Sequence, residues 1–222
     1  VTKPITGMGE KAPAVARAYV QQLRELIVAL GVSEARMDQG NLRADVNLSL
    51  APKGSGVLGT RTETKNVNSF RSVERAVRFE MQRHAGILGS GGSILQETRH
   101  WHEDTGVTTS GREKSDADDY RYFPDPDLLP VTFSDEYIAE LRDGLCEPPA
   151  QRRRRFVQQL GLSDYDAAVL IDQGPQTADY FESVARQCQD AKRAANWVTQ
   201  DVLRELNERD QAIDDFALDA DG

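Results

Sequence analysis

Strict alternation of apolar and polar residues marks the first strand of this chain. Leu42, Ala44, Val46, Leu48 and Leu50 alternate with Arg43, Asp45, Asn47 and Ser49. A period of two puts the first set on one face of a strand over 41–50 and the second set on the other. A helical period precedes it: Val15, Tyr19, Leu23, Leu26, Ile27 and Leu30 form one apolar stripe, and Gly31 falls where a left-handed C-terminal cap belongs. A second strand is expected over 57–66, joined to the first through the Pro, Lys, Gly, Ser, Gly turn at 52–56, so that the two make an antiparallel hairpin. Phe70, Val73, Val77 and Met81 restore the helical period over 69–84, with Ser69 placed to cap it. Beyond the break at 89–92, residues 93–102 alternate again but are polar on parts of both faces. Shorter strands are expected near 106–111 and 119–123, closed by the Pro-Asp-Pro turn at 124–126.

After Pro130 the pattern turns helical. A short helix is expected over 134–143, then a boundary at Glu147, Pro148 and Pro149, then consecutive short helices to about 207 separated by Gly161, Gly174 and Pro175. The last carries a small-residue face of Ala191, Ala194, Ala195, Val198, Val202 and Leu206. There is no internal repeat. A chain of 222 residues can hold one large domain or two modest ones. No run approaches the length of a membrane span and no signal-peptide pattern opens the chain, so a soluble cytoplasmic protein without membrane partners is the default. Cys146 and Cys188 are far apart and lack CxxC spacing, which argues against a disulfide framework or a thiolate zinc site. The net charge of −9 excludes a protein that coats nucleic acid generally, but leaves room for a local basic surface. The start at Val1 and the acidic, Gly-terminated end read as an excerpt from a longer protein.

Charge changes the picture most in the hairpin. Matched faces would put Arg43, Asp45 and Asn47 beside Arg61, Glu63 and Lys65. Carboxylates can ligate Mg²⁺ while Arg and Lys neutralise phosphoryl oxygens, so one account is a site for metal and phosphate. The other is a set of cross-strand ion pairs on a wet sheet face, each worth under roughly 1 kcal/mol. The second strand favours the first account, because Thr60, Thr62, Thr64 and Asn66 oppose Arg61, Glu63 and Lys65 and neither face is apolar. No P-loop or GxSxG motif is present, and neither cysteine has a neighbouring histidine. His100 and His102 share one strand face; a solvated pair with Trp101 packed inward accounts for them better than zinc. The run Arg152 to Arg155 permits either a solvated helix face or a contact with RNA phosphates.

The segments LRADVNLSL, GTRTETKNVNS, QETR and DYRYFPDPDL, in that order, resemble the signatures of the GatB family, the B subunits of bacterial aspartyl/glutamyl-tRNA amidotransferases. Ala44 departs from the family, which commonly has Cys there, and Gln39 departs from an acidic pair. The resemblance implies an α+β fold: a partial cradle domain over 1–132, an antiparallel sheet with flanking helices, then a small all-helical domain over 133–222 with an acidic C-terminal extension. It implies a component of a ligase that uses ATP and Mg²⁺ to phosphorylate the side-chain carboxylate of Glu-tRNA(Gln) or Asp-tRNA(Asn) before amidation. Its implied partners are the A (glutaminase) and C (small) subunits of the amidotransferase and the tRNA. By motif, catalytic roles fall to Asp45, Glu63 and Lys65, metal ligation to Asp38, Asp45 and Glu63, and supporting nucleotide contacts to Arg43, Asn47, Arg61, Asn66, Arg99 and Arg121. Arg152, Arg153 and Arg155 are the candidates for tRNA. The family's N-terminal part of the cradle and its C-terminal tail domain are expected to lie outside this stretch, so the chain alone would be inactive. The competing class is a tRNA-binding or assembly module that holds no nucleotide.

Overall fold

The computed structural model of the chain describes residues 7–113 and 126–219. These divide into two compact units, one of residues up to 21 with 35–138, the other of 22–34 with 139 onward. The division differs from a cut at 132 chiefly because residues 22–34 group with the helical unit, a long-range association that composition does not reveal.

In the first unit four strands, β1 (Ala44–Leu48), β2 (Thr62–Val67), β3 (Glu97–His102) and β4 (Val107–Glu113), lie in that order in one sheet. The α+β class holds. One detail is corrected: β1 and β2 are antiparallel, as are β3 and β4, but β2 and β3 are parallel. The cause is helix α2 (Phe70–Gly89), which carries the chain back before β3 begins, the crossover that parallel neighbours require. Ser69 caps α2 as its position suggested, its hydroxyl accepting from the Ser72 amide at 3.0 Å. The glycine break after α2 is a defined cap. Gly91, at φ +79°, donates to Leu88 O, and Gly92 donates to Ile87 O, a Schellman pairing that stops the helix. The strand expected over 119–123 and most of its closing turn lie outside the described residues.

β1 buries Leu48 and turns Ala44 and Val46 inward, while Asp45 and Asn47 stay exposed. Its register with β2 slips by one residue. Ala44 pairs with Val67 and Val46 with Thr64, so Lys65 and Asn66 together face Asp45. Asn66 absorbs the extra residue in a left-handed conformation, φ +64°, which Asn tolerates better than most side chains. Beneath the sheet, Val67, Val73, Ala76 and Trp101 form an apolar cluster against which Ala16, Val20, Ala44 and Val46 pack. The family departure at Ala44 therefore sits at an inward packing position.

The second unit is helical: the division falls within α3 (Asp135–Asp143), which is followed by α4 (Pro149–Leu160), α5 (Asp164–Asp172), α6 (Pro175–Cys188), α7 (Ala191–Trp197) and α8 (Leu203–Arg209). A single π turn, Val198–Val202, joins the last two. Pro149 and Pro175 open their helices, Ser163 and Asp190 cap theirs, and Gly161 ends α4 at φ +68°. Residues 22–29, the second half of helix α1 (Ala12–Ala29), belong here, and Gly31 closes that helix in the left-handed conformation. The core gathers around Phe156 and Phe181, whose rings meet edge to face with centroids 5.0 Å apart. Among the described residues no helix is long and apolar enough to cross a membrane.

Candidate active site

The two faces of the sheet carry two different chemistries. On the inner face, against α2, Thr62 and Thr64 of β2 and Glu97, Arg99 and Trp101 of β3 are buried. Glu80 and His84 descend from α2 among them, each fully buried. Glu80 accepts hydrogen bonds from Thr62 at 3.0 Å, Thr108 at 2.5 Å, Arg99 Nε at 3.1 Å and the Arg83 guanidinium at 2.8 Å. Arg99 also donates to Glu97 at 2.5 Å and to the Thr108 carbonyl at 2.9 Å, and Ser110 donates to Glu97. Two carboxylates and two guanidiniums thus balance inside the fold, which is how buried charge is tolerated. Burial alone would raise the Glu80 carboxyl, but the His84 ring beside it and hydrogen bonds from Arg83 and Thr108 outweigh it and hold the group far below the ordinary carboxylate range. Because the Thr62 hydroxyl donates to Glu80, His84 Nε2 must donate to Thr62 Oγ1 at 3.0 Å. That leaves Nδ1 without a partner among the described residues.

The outer face holds most of the residues singled out by the sequence. Asp45 and Asn47 are exposed on β1, with Arg43 just before it; Glu63 and Lys65 follow the same parity on β2, with exposed Arg61 before it. Asn47 pairs with Glu63 across the ladder, which makes Asp45 a diagonal neighbour of Glu63 on the same face. Glu63 is mostly covered. Thr98 donates to its Oε2 at 3.1 Å, and the Lys65 ammonium stands 3.9 Å from the same oxygen. The face therefore presents two carboxylates on adjacent strands with a lysine and two arginines around them.

Three of the expected ligands are placed elsewhere. Arg99 is a correction: it lies on the inner face, closed into the Glu80 and Glu97 ion pairs, because it shares strand parity with Trp101. Asp38 sits in an exposed loop beside Arg36 at 3.4 Å, and among the described residues no three His, Cys, Asp or Glu side chains are grouped to hold a metal. Asn66 donates its side-chain amide to the Trp101 carbonyl at 3.0 Å and accepts from Asn68, so it serves the bulge. Arg121 lies outside the described residues. Two carboxylates still fit Mg²⁺, which is commonly held by one or two carboxylates with water and substrate phosphates completing the shell.

The arginine run is bound up within its own unit. Arg152 pairs with Asp179 and Glu182, Arg153 with Glu25 and Asp172, and Arg155 with Glu147 and Glu182. Only Arg154 of the four is exposed without an ion pair among the described residues. Burial pushes the Glu25 carboxyl up in spite of the Arg153 charge beside it. Sequence reasoning missed Glu80 and His84. Their signal was spacing: 73, 77, 80 and 84 follow one helical stripe, so two ionisable groups stood on the buried face of α2.

The model of the family described as the GatB/GatE catalytic domain matches residues 1–139. The chain belongs to the GatB family. A second family model, the GatB domain, matches residues 179–222 of this GatB-family chain. It is similar to the B subunit of the aspartyl/glutamyl-tRNA(Asn/Gln) amidotransferase of Nocardioides sp., with 69% identity over 174 residues that cover 78% of the chain and 35% of that relative. The protein of the same name from Streptomyces coelicolor is 55% identical over 218 residues, 98% of the chain and 43% of the relative. That of Kineococcus radiotolerans is 53% identical over 207 residues, 93% and 41% respectively. The chain thus spans well under half the length of these curated relatives.

Proposed function

We propose that this chain carries part of the phosphorylation site in the B subunit of a tRNA-dependent amidotransferase. The reaction is activation of the side-chain carboxylate of glutamate on tRNA(Gln), or of aspartate on tRNA(Asn), by the γ-phosphate of ATP, followed by amidation. The partners are the A (glutaminase) and C (small) subunits of the complex and the tRNA. The observation that supports it most directly is the outer sheet face, where Asp45, Asn47, Glu63 and Lys65 stand together on a sheet whose inner face is locked by ion pairs.

Each residue has a defined part. Mg²⁺, when bound, would neutralise phosphate charge and orient the nucleotide, and Asp45 and Glu63 are the carboxylates that would hold it. Thr98 fixes Glu63 from the neighbouring strand, so that carboxylate is preorganised. The Lys65 ammonium, 45% exposed, supplies a positive charge for phosphoryl oxygens beside it. Arg43 and Arg61, at the entrances of their strands, extend that positive field. A free carboxylate is a poor acyl donor; an acyl phosphate supplies the leaving group that ammonia displaces.

The test is ATP-dependent phosphorylation of Glu-tRNA(Gln) by the full-length parent assembled with its partners, with and without Asp45→Ala. Loss of phosphorylation with tRNA affinity retained supports the reading. Full activity in the variant refutes it, and parallel loss of both points to a tRNA-binding or assembly role.

A further inference from the structure

His100 stands on the outer face, where the phosphorylation reading gives it no part, and the sheet register pairs it with the lysine. In the parallel ladder it pairs with Lys65, and in the antiparallel ladder with Thr109. The neighbouring histidine on the same face, His102, is engaged, its Nε2 lying 2.9 Å from Thr109 Oγ1. His100 is exposed and has no such partner among the described residues. The space around its ring is shaped by Gly111 of β4. A Cβ there would fall 2.9 Å from both Cδ2 and Nε2 of the imidazole and 2.9 Å from the Thr98 carbonyl. The ring therefore occupies the volume that a side chain at 111 would need, its Cδ2 and Nε2 atoms lying against β4.

We infer that His100 is a ligand contact of this face, its imidazole donating a hydrogen bond to a phosphate oxygen of the bound nucleoside triphosphate beside the Lys65 ammonium. The inference rests on the phosphorylation reading. Its chemistry follows from position: an unpartnered N–H donor one strand from a lysine, on a face with fixed carboxylates, suits a polyanion held with its counter-cation. His102 has the same residue type and the same face, but its ring is tied to Thr109 and it lies two residues further from Lys65. The inference predicts that the two histidines behave differently, which a generic charge effect would not produce.

The experiment uses the full-length parent assembled with its partners. Four proteins are compared: wild type, His100→Ala, His100→Gln and His102→Ala, with Asp45→Ala as reference. Binding of a non-hydrolysable ATP analogue with Mg²⁺ is measured directly, alongside kcat and KM for ATP, tRNA affinity and Tm. His100→Ala is expected to weaken analogue binding and raise KM about tenfold, as for one hydrogen bond to a charged group. His100→Gln, which keeps a donor, should recover part of that, and His102→Ala should stay within twofold of wild type. Tm and tRNA affinity should not move. If Asp45→Ala abolishes phosphorylation while His100→Ala binds the analogue within twofold of wild type, the histidine assignment alone falls. Equal losses in His100→Ala and His102→Ala also overturn it, since the effect then belongs to the strand. If neither Asp45→Ala nor His100→Ala changes binding or phosphorylation, both readings fall together.

Discussion

Replacing Glu80 with Gln is the sharpest test of how the sheet is held. The side chain keeps its shape but loses its charge, and it sits where Arg83, Arg99, Thr62 and Thr108 all donate. After the change, Arg83 and Arg99 share only Glu97, one carboxylate for two guanidiniums that are 18% and 10% exposed. Breaking a buried pair by removing one partner leaves an uncompensated charge and costs about 3–5 kcal/mol. Against a typical domain stability of about 5–15 kcal/mol, that is a large fraction. The chain offers a clean reporter: of its two tryptophans, Trp101 is buried beneath the sheet and Trp197 belongs to the helical unit. Urea unfolding followed by Trp101 fluorescence in a Trp197→Phe background isolates the first unit. A loss below about 1 kcal/mol would refute the argument that the ion cluster holds α2 to the sheet. The pH dependence has a defined sign. Because Glu80 is depressed in the folded state, its contribution is fully present above the unfolded carboxylate range near pH 4 and fades as pH falls below it. Wild type should therefore lose stability steeply below about pH 4, and the Glu80→Gln variant should lose less over the same span.

Two further substitutions probe the other assignments. Arg155→Ala removes contacts to Glu147 at 2.6 Å and Glu182 at 2.7 Å and a guanidinium over Phe156, and should cost the helical unit about 1–3 kcal/mol by Trp197 fluorescence, against under about 0.5 kcal/mol for Arg154→Ala. A drop of about one in the salt slope of tRNA binding, with stability unchanged, would instead return Arg155 to a phosphate contact. Asn66→Ala loses the hydrogen bond to the Trp101 carbonyl and strains a left-handed position, for a loss of about 1–3 kcal/mol; Asn66→Gly should recover the conformational part, and equal losses in the two variants would deny that strain contributes.

Local periods were enough to find most elements, because each depends on neighbours in sequence. The stripe through Val73 and Val77, the Ser69 cap, Gly31 and the alternation of β1 all act over a few residues. β2 was harder to read. Thr62 stands among charges because the inner face there meets Glu80 and His84, eighteen and twenty-two residues further on, and no local pattern announces a polar interior. Arg99 looked like a phosphate ligand when taken as part of QETR alone. Its parity with Trp101, a residue expected to pack inward, already placed it on the buried side. The arginine run was ambiguous for a similar reason: its carboxylate partners come from Glu25, Glu147, Asp172, Asp179 and Glu182, scattered over three helices and a boundary segment.

The parallel pairing of β2 with β3 also sets an order of assembly. β3 and β4 are joined by only four residues and can close as a hairpin on the microsecond scale. β2 cannot find β3 until α2 has formed and folded back, since a parallel neighbour is reached only through a crossover. Closing that long segment carries an entropic cost that local contacts do not repay, so it belongs late on the folding path. The carboxylate-bearing strands β1 and β2 would then join a preformed β3–β4 ribbon. On that order Glu63 and Lys65 reach their final geometry only when the slowest pairing in the sheet has formed.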